Sequence, residues 1–216
     1  MRLIKGADVY SASGDRLGTL NRVIIDPHTR EVTHLVVERG LLFNTNKIIP
    51  IGQVNPQNEE MIILTSSEQD LKEFQDFEEE HFVSLDDADH PEAGLESSYW
   101  YPPPNYAAWR TGTQMVFPPV PTYAIRTTQN IPDGTVALEE GARVESADDK
   151  QVGTIEQLIV EPENNHVTHF VISAGLLFKE RKLIPVNWIS TIGEKQVRLS
   201  VNAKTLEKVP AYHPAT

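Results

Sequence analysis

The sequence predicts an all-β protein, one small β-barrel written twice and joined by a connector rich in proline and aromatic residues. Three observations predict it. A stretch of the chain returns 135 residues later, each copy reads as short apolar strands separated by turn residues, and the segment between the copies has a composition unlike either of them.

Self-similarity is the first signal to seek, because it decides how the rest is read. Gly6-Ala7-Asp8-Val9 returns as Gly141-Ala142-Arg143-Val144, and Leu17-Gly18-Thr19-Leu20 as Val152-Gly153-Thr154-Ile155. Val32-Thr33-His34-Leu35-Val36-Val37 returns as Val167-Thr168-His169-Phe170-Val171-Ile172. Gly40-Leu41-Leu42-Phe43 returns unchanged as residues 175–178, and Lys47-Ile48-Ile49-Pro50 as Lys182-Leu183-Ile184-Pro185. The offset holds without a gap from Gly6 to Leu64. Two copies at so long a period indicate a duplication and not a solenoid.

Within the first copy, a strand starts at Ala7 and runs to Tyr10, and Ser13-Gly14-Asp15 is turn chemistry. Leu17 to Asp26 alternates apolar and polar residues, then closes on Val23-Ile24-Ile25. Asp26-Pro27-His28-Thr29 suits a type I turn, with proline pre-setting φ at its second position. Residues 31–38 form a β-branched run with Val32, His34, Val36 and Glu38 on one face and Thr33, Leu35 and Val37 on the other. Residues 47–51 and 61–64 are further strands. Short strands with turn signals every 8–12 residues indicate a barrel or sandwich, and closure into a barrel removes exposed sheet edges. Residues 66–83 then carry apolar residues near helical spacing (Leu71, Phe74, Phe77, Phe82), with Ser67 and Asp70 as a helix-starting pair. The matching stretch of the second copy, residues 202–212, is shorter, and Pro210 stops a helix there. The boundaries expected are residues 1–85 for the first barrel with its helix, 86–135 for the connector and 136–216 for the second barrel.

The formal net charge is −12, and residues 67–96 hold twelve Asp/Glu against one Lys, so nearly all the excess sits in one segment. That segment repels phosphate backbones, which argues against direct contact with nucleic acid. Cysteine is absent, which excludes disulfides, zinc–thiolate sites and thiol nucleophiles and suits a cytoplasmic location. No apolar run approaches the roughly 20 residues needed to span a bilayer, and the N-terminus carries no signal-peptide pattern.

The run from Gly6 through a Leu17-Gly18 turn, the strand end Val23-Ile24-Ile25-Asp26-Pro27, the strand from Val32 to Val37 and Lys47-Ile48-Ile49-Pro50 resembles the PRC-barrel family. That domain occurs in the cytoplasmic part of the photosynthetic reaction centre H subunit and in the C-terminal part of a ribosome maturation factor. The matching positions are fold positions, not a catalytic motif. What the resemblance implies is a pair of barrels that act through protein–protein contact and assembly.

Candidate sites are few. His34 and His169 hold the same place in both copies and are the weak metal-ligand or general-base candidates. Their spacing matches no metal signature, and a half-buried histidine bonded to its neighbours explains them as well. His166 has no histidine counterpart, since Glu31 stands there in the first copy. Phe43 and Phe178, in the loops after Gly40 and Gly175, cap a barrel end or meet across the two copies in a pseudo-two-fold pairing. Lys179-Glu180-Arg181-Lys182 reads as a solvated basic hairpin tip, and the paired acids Asp148-Asp149 as a turn. The connector holds Tyr99, Trp100, Tyr101, Tyr106, Trp109, Phe117 and Tyr123, seven of the chain's sixteen aromatic residues, beside Pro102-Pro103-Pro104. Two readings are open for it: a strap packed across the barrels, or a partner-recognition segment.

The expectation is a non-enzymatic, cytoplasmic scaffold or adaptor that binds a protein through Tyr99, Trp100, Tyr101, Tyr106, Trp109, Phe43 and Phe178, with no cofactor. The barrels pair within the chain, and a homo-oligomer is allowed. One alternative is a small-molecule or metal-binding protein with a site between the barrels near His34 and His169. Another, by the family resemblance alone, is an RNA-processing or ribosome-assembly factor.

Overall fold

The computed structural model describes residues 1–4, 6–38, 46–56, 61–66, 73–84, 123–139, 141–174 and 180–213. The first copy forms β1 (Arg2–Ile4), β2 (Asp8–Tyr10), β3 (Arg16–Ile25), β4 (Val32–Glu38), β5 (Asn46–Pro50), a 3-10 turn at Ile51–Gln53, and β6 (Ile62–Ile63). Strands β7 (Glu78–Ser84) and β8 (Tyr123–Gln129) form an antiparallel pair. The second copy forms β9 (Val136–Glu139), β10 (Arg143–Glu145), β11 (Gln151–Val160), β12 (Val167–Ala174), β13 (Glu180–Pro185), a 3-10 turn at Val186–Trp188, β14 (Ile189–Ile192), β15 (Gln196–Leu199) and the helix α1 (Ala203–Glu207). The chain divides into two compact units, Met1–Phe77 with Asn130–Thr216, and Glu78–Gln129.

In the first unit the sheet orders are β5-β4-β3-β2-β6 and β13-β12-β11-β10-β15-β14, and each takes one further strand from the other copy. Strand β3 spends its first half on its own neighbour β2, as Asp8↔Thr19 and Val9↔Gly18. Its second half pairs with β9, as Val23↔Leu138 and Ile24↔Ala137. Strand β11 does the same with β10 and β1, as Leu3↔Leu158 and Arg2↔Ile159. Each copy therefore donates its leading strand to the other, in the same register once 135 is subtracted. The donated strand leaves through a tight turn in which the Ala7 amide bonds the Ile4 carbonyl at 3.1 Å, repeated by Ala142 and Glu139 at 3.1 Å. Gly6 (φ 64°) and Gly141 (φ 72°) supply the left-handed backbone those turns require.

One buried cluster runs through both copies, from Leu3, Leu20, Val23, Leu35 and Ile49 to Leu138, Ile155, Leu158, Phe170 and Ile184. Each such side chain is worth about 1.5–3 kcal/mol on full burial. A satellite cluster of Ile24, Val36, Ile48, Phe77 and Ala137 covers the other face of the first sheet. Both faces of β4 are thus apolar. Val32 joins Leu35 and Val37 in the main core, not His34 and Val36 as strict alternation predicts. The reason is a register shift between Ile24 and Ile25, after which Ile24 faces His34 and Ile25 faces Val32.

Gly18 is not in a turn. It sits inside β3, and a Cβ there would run into the Glu38 carbonyl of the adjacent strand, so close strand approach explains the glycine. The helical spacing over residues 66–83 also misleads from Glu78 onward. Glu78–Ser84 is a strand because Tyr123–Gln129, some forty residues on, pairs with it along its full length, and tertiary pairing overrides local periodicity. Residues 67–72 lie outside those described. Among the described residues the one α-helix follows the second barrel, and it ends before Pro210. Asn202 caps it, its Oδ1 accepting from the Thr205 amide at 2.9 Å.

Sheet edges are closed alike in both copies. The Phe77 amide donates to the Asn46 carbonyl at 2.8 Å, and the Tyr212 amide to the Arg181 carbonyl at 2.6 Å. Lys182 is not part of a solvated tip. It is 7% exposed, and its Nζ donates to the carbonyls of Leu206 (2.8 Å), Glu207 (3.3 Å) and Val209 (3.0 Å). A cation on the last carbonyls of a helix end satisfies groups that have no partner within the helix. Its counterpart Lys47 donates to the Phe74 carbonyl at 2.9 Å and lies 2.8 Å from Asp76 Oδ1 as an ion pair.

Candidate functional site

The junction of the two copies lies where two turns meet. In the first, Asp26 Oδ1 accepts from the His28 amide at 2.8 Å and the Thr29 amide at 3.1 Å, which holds its carboxyl below the ordinary carboxylate range. The turn closes with Arg30 in left-handed backbone (φ 67°), and Asn165 repeats this in the second copy (φ 59°). Across the junction the Val32 amide donates to the Asn165 carbonyl at 2.9 Å, and the Val167 amide to the Arg30 carbonyl at 3.0 Å. Glu31 pairs with His166, its own repeat counterpart. The local two-fold axis therefore passes between Glu31 and His166.

Among the described residues, two cavities lie on this junction. One, of about 30 Å³, is lined by the repeat-related pairs Leu3 and Leu138, Leu20 and Ile155, and Val23 and Leu158. It has room for about one water molecule and for no organic ligand. The other is an open cleft of about 520 Å³ whose polar residues are Thr29, Arg30, Asn164, His166, Thr168, His169 and Asn187. Arg30 Nη2 donates to the Ile189 carbonyl at 2.9 Å, tying the first copy to the second, and its Nη1 is buried with no partner. His166 Nδ1 lies 2.9 Å from the Asn164 carbonyl. Because a carbonyl only accepts, Nδ1 carries the proton and Nε2 is left for a ligand.

His34 and His169 occupy equivalent sheet positions, between Ile24 and Pro50 and between Ile159 and Pro185. Only His169 lines the cleft. His34 is half-buried with its Nδ1 unpartnered, so it is not bonded to its neighbours as expected, and burial pushes its imidazole below the ordinary histidine value. Among the described residues no three His, Cys, Asp or Glu side chains group as a metal site.

Asp148 and Asp149 are turn residues, as their place in the repeat predicts. Asp148 Oδ1 accepts from the Ala203 amide and Ser146 Oγ, each at 2.8 Å, and Oδ2 lies 3.0 Å from Lys150 Nζ. The Ala203 amide, first among these, holds the carboxyl far below its ordinary value. Arg22 joins Glu194 of the second copy in an ion pair and stands 5.5 Å from the centre of the Phe77 ring.

The root of the inserted segment lies beside that ring. The Asn130 amide donates to the Phe77 carbonyl at 2.8 Å and its Nδ2 to the Asp76 carbonyl at 2.9 Å, while Phe77 itself is fully buried. Tyr99, Trp100, Tyr101, Tyr106, Trp109, Phe43 and Phe178, expected to bind a partner, lie outside the described residues. Residue patterns missed Arg30 and Asn187, which become neighbours only when the second copy folds onto the first. One signal was present, the replacement of Glu31 by His166 between otherwise similar copies.

The family model for the PRC-barrel domain matches residues 2–70 and 140–206. The chain belongs to the PRC-barrel family. The two matched stretches are the two repeats, so this protein carries the PRC-barrel in tandem. PRC-barrel domains occur in interaction and scaffold proteins and are generally non-catalytic. No curated protein matches the chain. Among the described residues no helix is long and apolar enough to cross a membrane.

Proposed function

We propose that the protein is a non-enzymatic, cytoplasmic scaffold that captures a protein partner, with the two interlocked barrels as its base and the inserted unit Glu78–Gln129 as its recognition element. The observation that carries this reading is the root of the insertion. Chain leaves the barrel body at Phe77 and returns at Asn130 through a direct backbone hydrogen bond of 2.8 Å, so some fifty residues with most of the chain's tryptophan are spliced in at one fixed point. Trp100 and Trp109, with Tyr99, Tyr101 and Tyr106, supply large contact area at low conformational cost, the chemistry from which binding hot spots are made.

The test is affinity capture from source-cell lysate with quantitative mass spectrometry. It compares the full chain, Trp100→Ala, Trp109→Ala, and a chain in which residues 78–129 are replaced by a two-residue turn. The expected result is a partner enriched by the full chain, reduced at least tenfold by each tryptophan variant and lost on excision, with the melting curve of the barrel body unchanged. Capture that survives excision would move recognition onto the barrels, and no enriched partner with any version would overturn the scaffold reading.

A further inference from the structure

We propose that the 520 Å³ cleft at the junction of the two copies binds a small ligand through an oxyanion, a phosphate or carboxylate group held by Arg30, with His166, His169 and Asn187 around it. This goes beyond the scaffold reading and uses none of the residues that carry it.

Size is the first support, since a cleft of 520 Å³ lies within the roughly 300–1,000 Å³ usual for small-molecule sites. Lining chemistry is the second. In a chain of net charge −12, the residues around the cleft include one arginine, two histidines, two asparagines and two threonines, and no Asp or Glu. Glu31, paired with His166 across the junction, is not part of the lining.

The state of Arg30 is the third support. Its Nη2 donates to the neutral Ile189 carbonyl, its Nη1 is buried without a partner, and among the described residues no carboxylate forms an ion pair with it. A partly buried guanidinium without a counter-charge is costly, and its planar fork suits the paired oxygens of a phosphate or carboxylate. His166 adds direction, because its Nδ1 is committed to the Asn164 carbonyl and its Nε2 is left to accept from a ligand hydroxyl or a singly protonated phosphate. Pro185 and Val186 provide an apolar wall for the rest of the ligand.

The site is one-sided although the junction is a local two-fold. Where the second copy has His166 and Asn187, the first has Glu31 and Gly52. On the other side of the two-fold the same turn therefore carries Asn165 in place of Arg30 and an acid in place of His166.

The experiment titrates inorganic phosphate and, separately, acetate into the full chain against sodium chloride at matched ionic strength. Histidine ring signals are read by NMR, with exposed His213 as internal reference. The expected result is a saturable shift of His166 and His169 with either anion that sodium chloride does not reproduce. A stronger response to phosphate identifies a phosphoryl ligand, and a stronger response to acetate a carboxylate. Arg30→Gln should weaken the apparent Kd at least tenfold. Because Arg30 also ties the copies together, Asn187→Asp serves as a second variant that adds a negative charge to the cleft without touching that bond, and it too should weaken binding at least tenfold. Shifts that rise linearly, that sodium chloride reproduces, or that persist in both variants would overturn the proposal.

Discussion

The two copies of the barrel are alike where they hold each other and unlike where they meet solvent. Leu3 and Leu138 enter the opposite sheet in one register, and the Val32–Asn165 and Val167–Arg30 hydrogen bonds mirror each other. One residue away, Glu31 faces His166, and around the cleft Gly52 stands for Asn187. Shared residues build the fold, and divergent ones give one side of it a chemistry the other lacks. The likeness should be hardest to break in the core and should fail first at the polar positions.

The largest effect is expected at the exchanged strands. Leu138→Ala should cost about 2–5 kcal/mol, as large-to-small changes in a closed core do, and Leu3→Ala about the same, because both side chains are buried in one shared cluster. Chemical denaturation should show each variant moving a single transition for both copies. A Leu138→Ala chain that splits into two transitions would separate copies that the structure joins.

The two edge lysines come next. Lys182→Met leaves three carbonyls without their donor and should cost about 1.5–3 kcal/mol. Lys47→Met should cost less, about 1 kcal/mol, because only the Phe74 carbonyl loses a donor where three carbonyls do at Lys182. Equal losses in thermal melts would contradict the asymmetry.

The smallest effect is at His34 and depends on pH. Burial lowers the affinity of folded His34 for its proton. Stability from this group is therefore complete above the unfolded value near 6.5 and is lost as pH falls through it. His34→Leu should flatten the decline in melting temperature between about pH 7 and 5. An undiminished slope would show that the buried imidazole does not report on folding.

Much of the fold was legible in residue order. The 135-residue repeat, β2 to β6, their counterparts in the second copy and the Asp26 and Asp148 turns all follow from local patterns. The strand exchange was not legible, because β1 has three residues and its partner Leu158 lies across the whole chain. The strand at Glu78–Ser84 was hidden for a similar reason: helical spacing is a local signal, and the partner Tyr123–Gln129 is not local. Lys182 looked solvated because its neighbours Glu180 and Arg181 are, whereas alternation along β13 turns its side chain under α1. The cleft was half visible. His169 was marked by its recurrence, but Arg30 reads as an ordinary turn residue until the second copy brings Ile189 and Asn187 beside it.

Native-state hydrogen exchange tests the interlocking of the copies most directly. The Leu20 amide bonds the Ala7 carbonyl at 2.9 Å, and the Ile155 amide bonds the Ala142 carbonyl at 3.0 Å, so these repeat-related protons report one on each copy. If strand exchange and a common core make one cooperative body, both should open with the same free energy and merge on one global unfolding line as denaturant rises. An Ile155 proton that exchanges through a lower-energy opening while Leu20 stays protected would show two independently stable barrels and contradict the interlock.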